Sequence, residues 1–459
     1  MAGIGFELRK LLENGSYFGV LQAYGFAGLI SAGPWVLSIF AVFAIGLFRT
    51  EPAGSDMSMQ QFQISVTYLI VFSFLLTSPV QLSFSRFLAD RLFKNQESDV
   101  FSNVVGVLTL VFFVSGSFGT VVLLRFFDGP ITYRLLMLSG LVLFSGVWMV
   151  MTILSCVRDY VKILLAFLIG HGTSVGSSFA LREFGLEGFL SGYVIGQALL
   201  FFFLLALVVR RFPSNKLIAL TFLRRGEFYP KLALTGVLFA FGIWADKLIF
   251  WFNPLTSVTV IEPLRVSEIY DLPIFLAYLC IIPGMASLFV RFETDFAEKH
   301  EAFYSSLNKG ASLDSIMELR DEMILSVRRG LNEICKIQGI TAVIFMAIGD
   351  RVLDWAGISP LYRILLNIDI VAVSVQVLLL ALFNAFSYFD LQSVMVKLSM
   401  FFVASNVFLT ALTQYLGPVF YGYGFATALI MTSLIGLVVL SRKLDRVVYR
   451  TYMLQKAYL

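Results

Sequence analysis

The sequence is poor in the residue types that build metal centres and disulfides. Its 459 residues include 3 Cys and 2 His, which lie far apart and lack the spacing of a metal-ligand set or a disulfide framework. It contains no Gly-x-x-x-x-Gly-Lys-Ser/Thr loop for nucleotide phosphates and no Asp-x-Asp pair for the metal of a nucleotide sugar. These absences predict a protein that is not an enzyme and that binds neither a cofactor nor a metal.

Charged side chains are also scarce. They make up 14% of the chain, against 58% for the apolar class, whereas a soluble protein has about 25% charged residues. So few charges cannot cover a water-exposed surface, which excludes soluble enzymes and DNA-binding proteins. The formal net charge of +4 gives no strong field that would favour nucleic acid. The sequence therefore predicts an all-α polytopic membrane protein.

Twelve apolar runs approach the length that crosses a bilayer. The predicted spans are 24–48, 62–85, 100–124, 131–157, 163–181, 188–209, 232–252, 272–291, 335–349, 364–386, 393–416 and 422–440. An even number of spans places both termini on one side. That side carries 26 of the 34 Lys and Arg residues and the other side carries 8, so the positive-inside rule predicts that both termini are cytoplasmic.

A basic segment, 210–231, divides the spans into six and six. We expect an amphipathic cytoplasmic segment (1–23), an N-lobe of spans 1–6 (24–209), this linker, a C-lobe of spans 7–12 (232–441) and a basic cytoplasmic tail (442–459). Gly33-Pro34-Trp35 in the first span matches Gly242-Ile243-Trp244 in the seventh. The match and the equal halves indicate a duplicated transporter that handles its substrate where the lobes meet.

Small residues and prolines predict local features of the spans. Glycine recurs at every fourth residue in the fifth and sixth spans, which favours close helix packing, at Gly172, Gly176, Gly188, Gly192 and Gly196. Pro34 and Pro79 remove backbone hydrogen bonds inside spans. For the first helix this predicts either a bend that lines a cavity or a purely structural kink.

Two N-terminal segments carry a family resemblance. They read MAGIGFELRKLL (1–12) and QAYGFAGLISAGPWVLS (22–38). They closely resemble the PelG family, the inner-membrane transporters of the Pel exopolysaccharide machinery of biofilm-forming bacteria. The resemblance implies membership of the multidrug/oligosaccharidyl-lipid/polysaccharide flippase superfamily. It thereby implies a fold of twelve transmembrane helices in two six-helix bundles, arranged as V-shaped lobes.

The same resemblance implies a function and partners. The cargo would be Pel, a polymer of N-acetylgalactosamine and galactosamine. The implied partners are PelF, a cytosolic glycosyltransferase, and the membrane proteins PelD and PelE. Two alternatives stay open. The first is a flippase for lipid-linked oligosaccharide or a multidrug antiporter, which would have the same fold and a different cargo. The second is a non-conducting membrane scaffold that only assembles the synthase complex.

Polar and aromatic side chains within the spans are the candidates for a substrate path. An ionisable group at the bilayer centre costs about 2.5–3.5 kcal/mol on insertion scales, so it needs water or a partner. Sequence neighbours on a helix point about 100° apart, so Asp246 and Lys247 are expected either to have separate partners or to snorkel to the outer interface. His171 is interpreted as a packing residue or a proton site. The path candidates are Trp35, Gln81, Gln197, Trp244, Asp246, Lys247, Asp369, Gln376, Asn384, Asn406 and Gln414.

The longest predicted cytoplasmic loop, 292–334, is dense in charge. Lys309-Gly310 is typical of a helix end and Ser312 of a new N-terminus. A stripe of apolar residues follows at three- or four-residue steps. It predicts an amphipathic helix that docks a synthase subunit, covers the inner mouth of the path or lies on the membrane surface. The docking candidates are Ile316, Leu319, Met323 and Val327.

Overall fold

The computed structural model describes residues 22, 24–25, 27–28, 37–38, 41–42, 44–46, 55–154, 160–214, 216–355 and 359–454. Within these ranges ten helices are long and apolar enough to cross a membrane, and each coincides with a predicted span. The predicted first span, with its Gly33-Pro34 bend and Trp35, lies mostly outside the described residues, as does segment 1–23. The count of twelve spans and two bundles therefore stays a prediction.

The described part of the chain forms two compact units. Unit 1 contains the described residues from 37 to 268. Its helices are α1 (Ser55–Phe93), α2 (Ser98–Phe126), α3 (Ile131–Leu154), α4 (Tyr160–Ala180), α5 (Gly185–Arg211) and α6 (Pro230–Phe252). An antiparallel hairpin of β1 (Val258–Ile261) and β2 (Leu264–Val266) follows α6. The Tyr68 hydroxyl on α1 donates to the Arg265 carbonyl at 2.8 Å, which fixes the hairpin to the unit.

Unit 2 contains the described residues between 22 and 28 and those from 269 onward. Its helices are α7 (Glu268–Tyr278), α8 (Ile282–Val290), α9 (Ala297–Asn308), α10 (Leu313–Ala347), α11 (Gly349–Trp355), α12 (Arg363–Tyr388), α13 (Gln392–Leu416), α14 (Tyr423–Leu444) and α15 (Val447–Leu454). A π-helical turn, Arg291–Phe296, separates α8 from α9. Near the chain start, the Tyr24 hydroxyl donates to Glu333 of α10 at 2.5 Å.

The boundary between the units differs from the expected one at 210–231. Helix α6, predicted as the first span of the C-lobe, packs on α1 in unit 1. A Cβ on Gly236 would lie 2.2 Å from the Ser78 carbonyl oxygen, so the two backbones almost touch. The linker is also part of unit 1, because the Tyr229 hydroxyl donates to Asp90 of α1. Burial and this hydrogen bond raise the pKa of Tyr229.

Helix α1 runs through Pro79 without a break in its helical assignment. The proline leaves the carbonyl of Leu75, four residues earlier, without its backbone donor. The Ser78 hydroxyl takes that place, because it donates to the Leu75 carbonyl at 2.8 Å. The cost of a proline inside the span is thus reduced by a hydrogen bond from the adjacent side chain.

The glycine prediction is right for one helix and wrong for its neighbour. On α5, a Cβ on Gly192 would lie 2.2 Å from the Ser178 backbone nitrogen of α4, whereas nothing lies within 4 Å of a Cβ on Gly172 or Gly176. On α4 the serines make the contact instead. The Ser177 and Ser178 hydroxyls donate to carbonyls of α5 at 2.7 and 2.9 Å, so small polar residues complete the seam.

The predicted break inside 292–334 is confirmed. Helix α9 ends at Asn308, Gly310 has a φ of 68°, and the Ser312 side chain caps α10 by accepting from the Ser315 amide. The predicted ninth span forms the end of α10 and is not among the ten candidate spans of the described part. Glu333 and Lys336, with the charged residues before them, make this helix more polar than the ten candidate spans.

The apolar stripe of α10, for which docking was one of the predicted roles, is largely buried. Ile316, Met323 and Val327 are buried, with at most 3% of each exposed, and Leu319 is half-buried. Helices α8, α9 and α12 of the same unit pack against α10. The stripe is therefore covered from within unit 2, and charged residues on the opposite side of α10 stay exposed.

Candidate functional site in the spanning helices

The described path candidates divide between the two units. Gln81, Gln197, Trp244, Asp246 and Lys247 belong to unit 1, whereas Asp369, Gln376, Asn384, Asn406 and Gln414 belong to unit 2. Trp35 lies outside the described residues. Burial separates the candidates further, since three amides are half-buried and the others are buried. The half-buried ones are Gln81, Asn384 and Gln414.

Asp246 and Lys247 pair with each other, contrary to the expectation of separate partners. Lys247 Nζ lies 3.0 and 3.3 Å from the two carboxylate oxygens of Asp246 and also donates to the Ile243 carbonyl at 3.0 Å. The lysine stem is long enough to turn its ammonium back toward the preceding residue. Asp246 is 0% exposed and Lys247 1%, so snorkelling to the outer interface is also wrong.

A cluster of aromatic rings lies beside this pair. Lys247 Nζ lies 5.6 Å from the ring centroid of Trp244, within the range of a cation–π interaction. The Trp244 ring is 6.3 Å from Trp251, which stacks on Tyr68 at 4.7 Å. All three rings are buried in the core of unit 1. Trp244 is therefore packed inside the unit and offers no free face to a sugar ring.

Gln197 is buried beside His171. The Gln197 side-chain nitrogen lies 3.5 Å from His171 Nδ1, and the hydroxyl oxygen of Ser38 lies 3.3 Å from His171 Nε2. The imidazole stacks on Phe167 at 5.9 Å. Both ring nitrogens have polar neighbours at hydrogen-bonding or near hydrogen-bonding distance, which is the geometry of the packing interpretation.

Helix α12 carries the largest group of polar candidates in unit 2. Asp369, Gln376 and Asn384 recur at seven- and eight-residue steps, so they lie along one side of the helix. Gln376 is buried and accepts from the Tyr278 hydroxyl at 3.1 Å. Asn384 is half-buried, and no side-chain hydrogen bond is recorded for it among the described residues.

The sequence analysis missed Gln338, which joins three elements of unit 2. Its side-chain nitrogen donates to the Cys280 carbonyl at 3.0 Å and to the Ser374 hydroxyl at 3.0 Å. A lone glutamine within the apolar end of α10 could have signalled a polar helix contact. Asn406 has a similar local role, because its side-chain oxygen accepts from Thr410 at 2.9 Å.

Gln81 also forms a hydrogen bond within the protein, but it is more exposed than Gln338 and Asn406. Its side-chain nitrogen donates to the Thr77 hydroxyl, one turn earlier on α1, at 2.8 Å, yet the residue stays half-buried. A half-buried glutamine side chain keeps some of its amide atoms accessible. Together with Asn384 and Gln414, it is an amide that a neutral sugar could reach through hydrogen bonds.

Comparison with known proteins gives the family. A family model described as "PelG: Putative exopolysaccharide Exporter (EPS-E)" matches residues 1–452. The chain belongs to the PelG family. It is accordingly a multi-pass membrane protein that transports exopolysaccharide across a membrane. No curated protein matches the chain.

Solved structures share the fold of this PelG family member. A MATE in complex with MaL6 aligns with a TM-score of 0.61 at 12% identity, over 92% of this chain and 96% of that one. An outward-facing multidrug resistance MATE transporter of the MOP superfamily aligns at 0.60 and 12%, with the same coverage. A MOP superfamily transporter from Pyrococcus furiosus Vc1 gives 0.55 and 10%, again over 92% and 96%. At such identities these likenesses show a MATE-like transporter fold.

Proposed function

We propose that this PelG family member exports the Pel polymer of N-acetylgalactosamine and galactosamine across the bacterial inner membrane, with both termini in the cytoplasm. The match of the family model to residues 1–452 carries the proposal. The growing chain comes from a cytosolic glycosyltransferase of the PelF type, and membrane proteins of the PelD and PelE type complete the machinery. The protein itself supplies the path and performs no catalysis.

The polymer passes as a neutral, acetylated chain. With the cell interior negative, each positive charge moved outward costs about 2.3 kcal/mol per 100 mV, so a deacetylated polycation would be held back. Two features of the described path candidates support neutral cargo. The charges of Asp246 and Lys247 are paired inside unit 1, and the half-buried candidates Gln81, Asn384 and Gln414 are neutral amides.

Transport into sealed membrane vesicles tests the charge of the cargo. Inside-out vesicles that hold the protein receive acetylated or deacetylated oligomers, with the membrane potential oriented as in the cell. Acetylated oligomers are expected to cross faster, and the difference is expected to shrink when the potential is dissipated. Faster transport of the deacetylated oligomers at full potential would reject the proposal of neutral cargo.

Asn384 is the amide that we propose contacts the cargo. Replacing Asn384 by Leu keeps a similar volume and removes one hydrogen bond of about 1 kcal/mol, which corresponds to a fall in export of roughly fivefold. Asn367→Leu is the matched control, because Asn367 is a half-buried asparagine on another side of α12. Secreted polymer is measured at equal protein level in the membrane.

The same experiment separates a transporter from a scaffold. If the protein only assembles the synthase, Asn384→Leu leaves secretion unchanged, and only variants that disrupt complex assembly reduce it. A loss of secretion in a variant that still co-purifies with the glycosyltransferase supports a path through this chain. Equal losses for Asn384→Leu and Asn367→Leu would contradict the assignment of Asn384.

A further inference from the structure

The linker between α5 and α6 is held against the ends of α1 and α2. The side-chain oxygen of Asn103 accepts from the amide and the hydroxyl of Thr221 at 2.9 and 2.7 Å. The Ala219 amide donates to the Ser102 carbonyl at 2.8 Å. Phe222 is buried, with its ring 5.2 Å from that of Phe84. These contacts give the linker a defined conformation.

This fixed linker presents apolar side chains outward. Four aliphatic residues within seven positions are exposed by 45–74%, while Phe222 among them is buried. Such exposure in a segment with a defined conformation gives an apolar surface that no other part of the described chain covers. The exposed residues are Leu217, Ile218, Leu220 and Leu223.

Exposed cations flank the same aliphatic residues. Lys216, Arg224 and Arg225 are exposed, and within the described part of the chain none of them forms an ion pair. The acidic residues at this end of unit 1 are engaged by other arginines. Arg211 binds Glu97 at 3.0 Å, and Arg91 binds Glu227 at 2.8 Å and lies 3.9 Å from Asp99. Asp90 is paired with Arg86 at 3.4 Å.

We propose that this surface segment, residues 216–225, inserts into the headgroup region of the bilayer and binds acidic phospholipids. Cations beside aliphatic side chains are the chemistry of an interfacial anchor, since the charges attract anionic headgroups while the aliphatic groups enter the acyl boundary. The inference goes beyond the proposed export of sugar and does not depend on it.

Continuity with the lipid-facing surface favours the bilayer over a protein partner. Val209, near the end of α5, and Leu234, in the first turns of α6, are exposed by 45 and 46%. They belong to two of the candidate spans, so their exposed side chains face lipid. The surface segment connects these two helices and extends the same apolar surface to the level where headgroups begin.

Labelling of Ile218 tests the depth of the segment. Protein with Ile218→Cys, and with the natural cysteines changed to Ser, carries an environment-sensitive fluorophore in vesicles of phosphatidylcholine with 30% phosphatidylglycerol. We expect quenching by spin-labelled lipid and protection from aqueous iodide. Glu301→Cys, on the exposed side of the polar helix α9, is the control and is expected to be quenched by iodide.

Charge removal tests the lipid class. The triple change K216Q/R224Q/R225Q is expected to weaken phosphatidylglycerol binding on the order of 100-fold at low salt, as three cations near an acidic surface predict. R125Q/R351Q removes two exposed cations that lie outside the surface segment, on α2 and α11, and is expected to change binding by less than about threefold because neither arginine belongs to a basic cluster.

Two results would overturn the proposal. The first is a triple variant that folds and binds phosphatidylglycerol as the unchanged protein does. The second is a label at position 218 that stays open to iodide in acidic vesicles and becomes protected only when the purified cytosolic glycosyltransferase is added. That outcome would assign the surface segment to a protein partner.

Discussion

The buried pair of Asp246 and Lys247 gives the sharpest test of how unit 1 holds its charges. Lys247→Met leaves the Asp246 carboxylate buried without its cation, and Asp246→Asn leaves the ammonium without its anion. The double change D246N/K247M removes both charges while nearly preserving both shapes. We expect each single variant to be strongly destabilised and the double variant to recover most of the loss.

The expected size follows from the geometry. At 3.0 Å between Nζ and Oδ2, Coulomb attraction is about 5 kcal/mol for an effective dielectric constant of about 20. Desolvation of the two ions offsets much of this attraction, so removing the whole pair is close to neutral. Removing one partner costs about 3–5 kcal/mol, because the other ion stays buried and loses the opposite charge beside it.

The assay is a double-mutant cycle on the free energy of unfolding in mild detergent, with secreted polymer measured for the same variants. Lys299→Gln is the control, because Lys299 binds Glu322 at 2.6 Å on the surface, where a pair contributes about 0–1 kcal/mol. If the free energies of unfolding of both single variants lie within about 1 kcal/mol of that of the unchanged protein, the expected coupling between Asp246 and Lys247 is refuted. A stable double variant that exports nothing would show that the pair acts on transport and not only on packing.

Two further predictions concern packing. Gly192→Ala places a Cβ 2.2 Å from the Ser178 backbone nitrogen and is expected to destabilise the protein by about 1–3 kcal/mol or more. Gly172→Ala meets nothing within 4 Å and is expected to be neutral or slightly stabilising; equal thermal stability of the two variants in detergent would contradict this reading. Asn103→Ala removes the acceptor of the Thr221 amide and hydroxyl and is expected to speed proteolysis of the linker more than tenfold. Asn332→Ala, at an exposed position of α10, is expected to leave the rate unchanged.

Periodicity and composition predicted the features that depend on one segment at a time. Long apolar runs identified the ten described spans, and Gly310 with Ser312 identified the break between α9 and α10. Each of these signals is local, since a helix crosses a bilayer by its own apolar length and ends where its own cap residues allow.

Features that depend on contacts between distant segments could not be predicted. The density of charge and proline in 210–231 resembles a domain boundary, yet Asn103 and Phe84 bind this segment into unit 1. Similarly, the rule that neighbours on a helix diverge describes the Cβ directions of Asp246 and Lys247. It does not describe where a four-carbon stem can bring an ammonium once the surrounding protein excludes water.

Burial also changes which polar residues can act on a sugar. A polar group inside a span must find a partner, and the described structure supplies many of these partners from the protein itself, as Tyr278 does for Gln376 and Thr410 for Asn406. A group already engaged and buried would have to give up that bond to bind cargo, with little net gain. Half-buried amides such as Asn384 can exchange water for a sugar hydroxyl without disturbing helix packing. Export should therefore fall most when the substituted path candidates are those that contribute least to the stability of the protein.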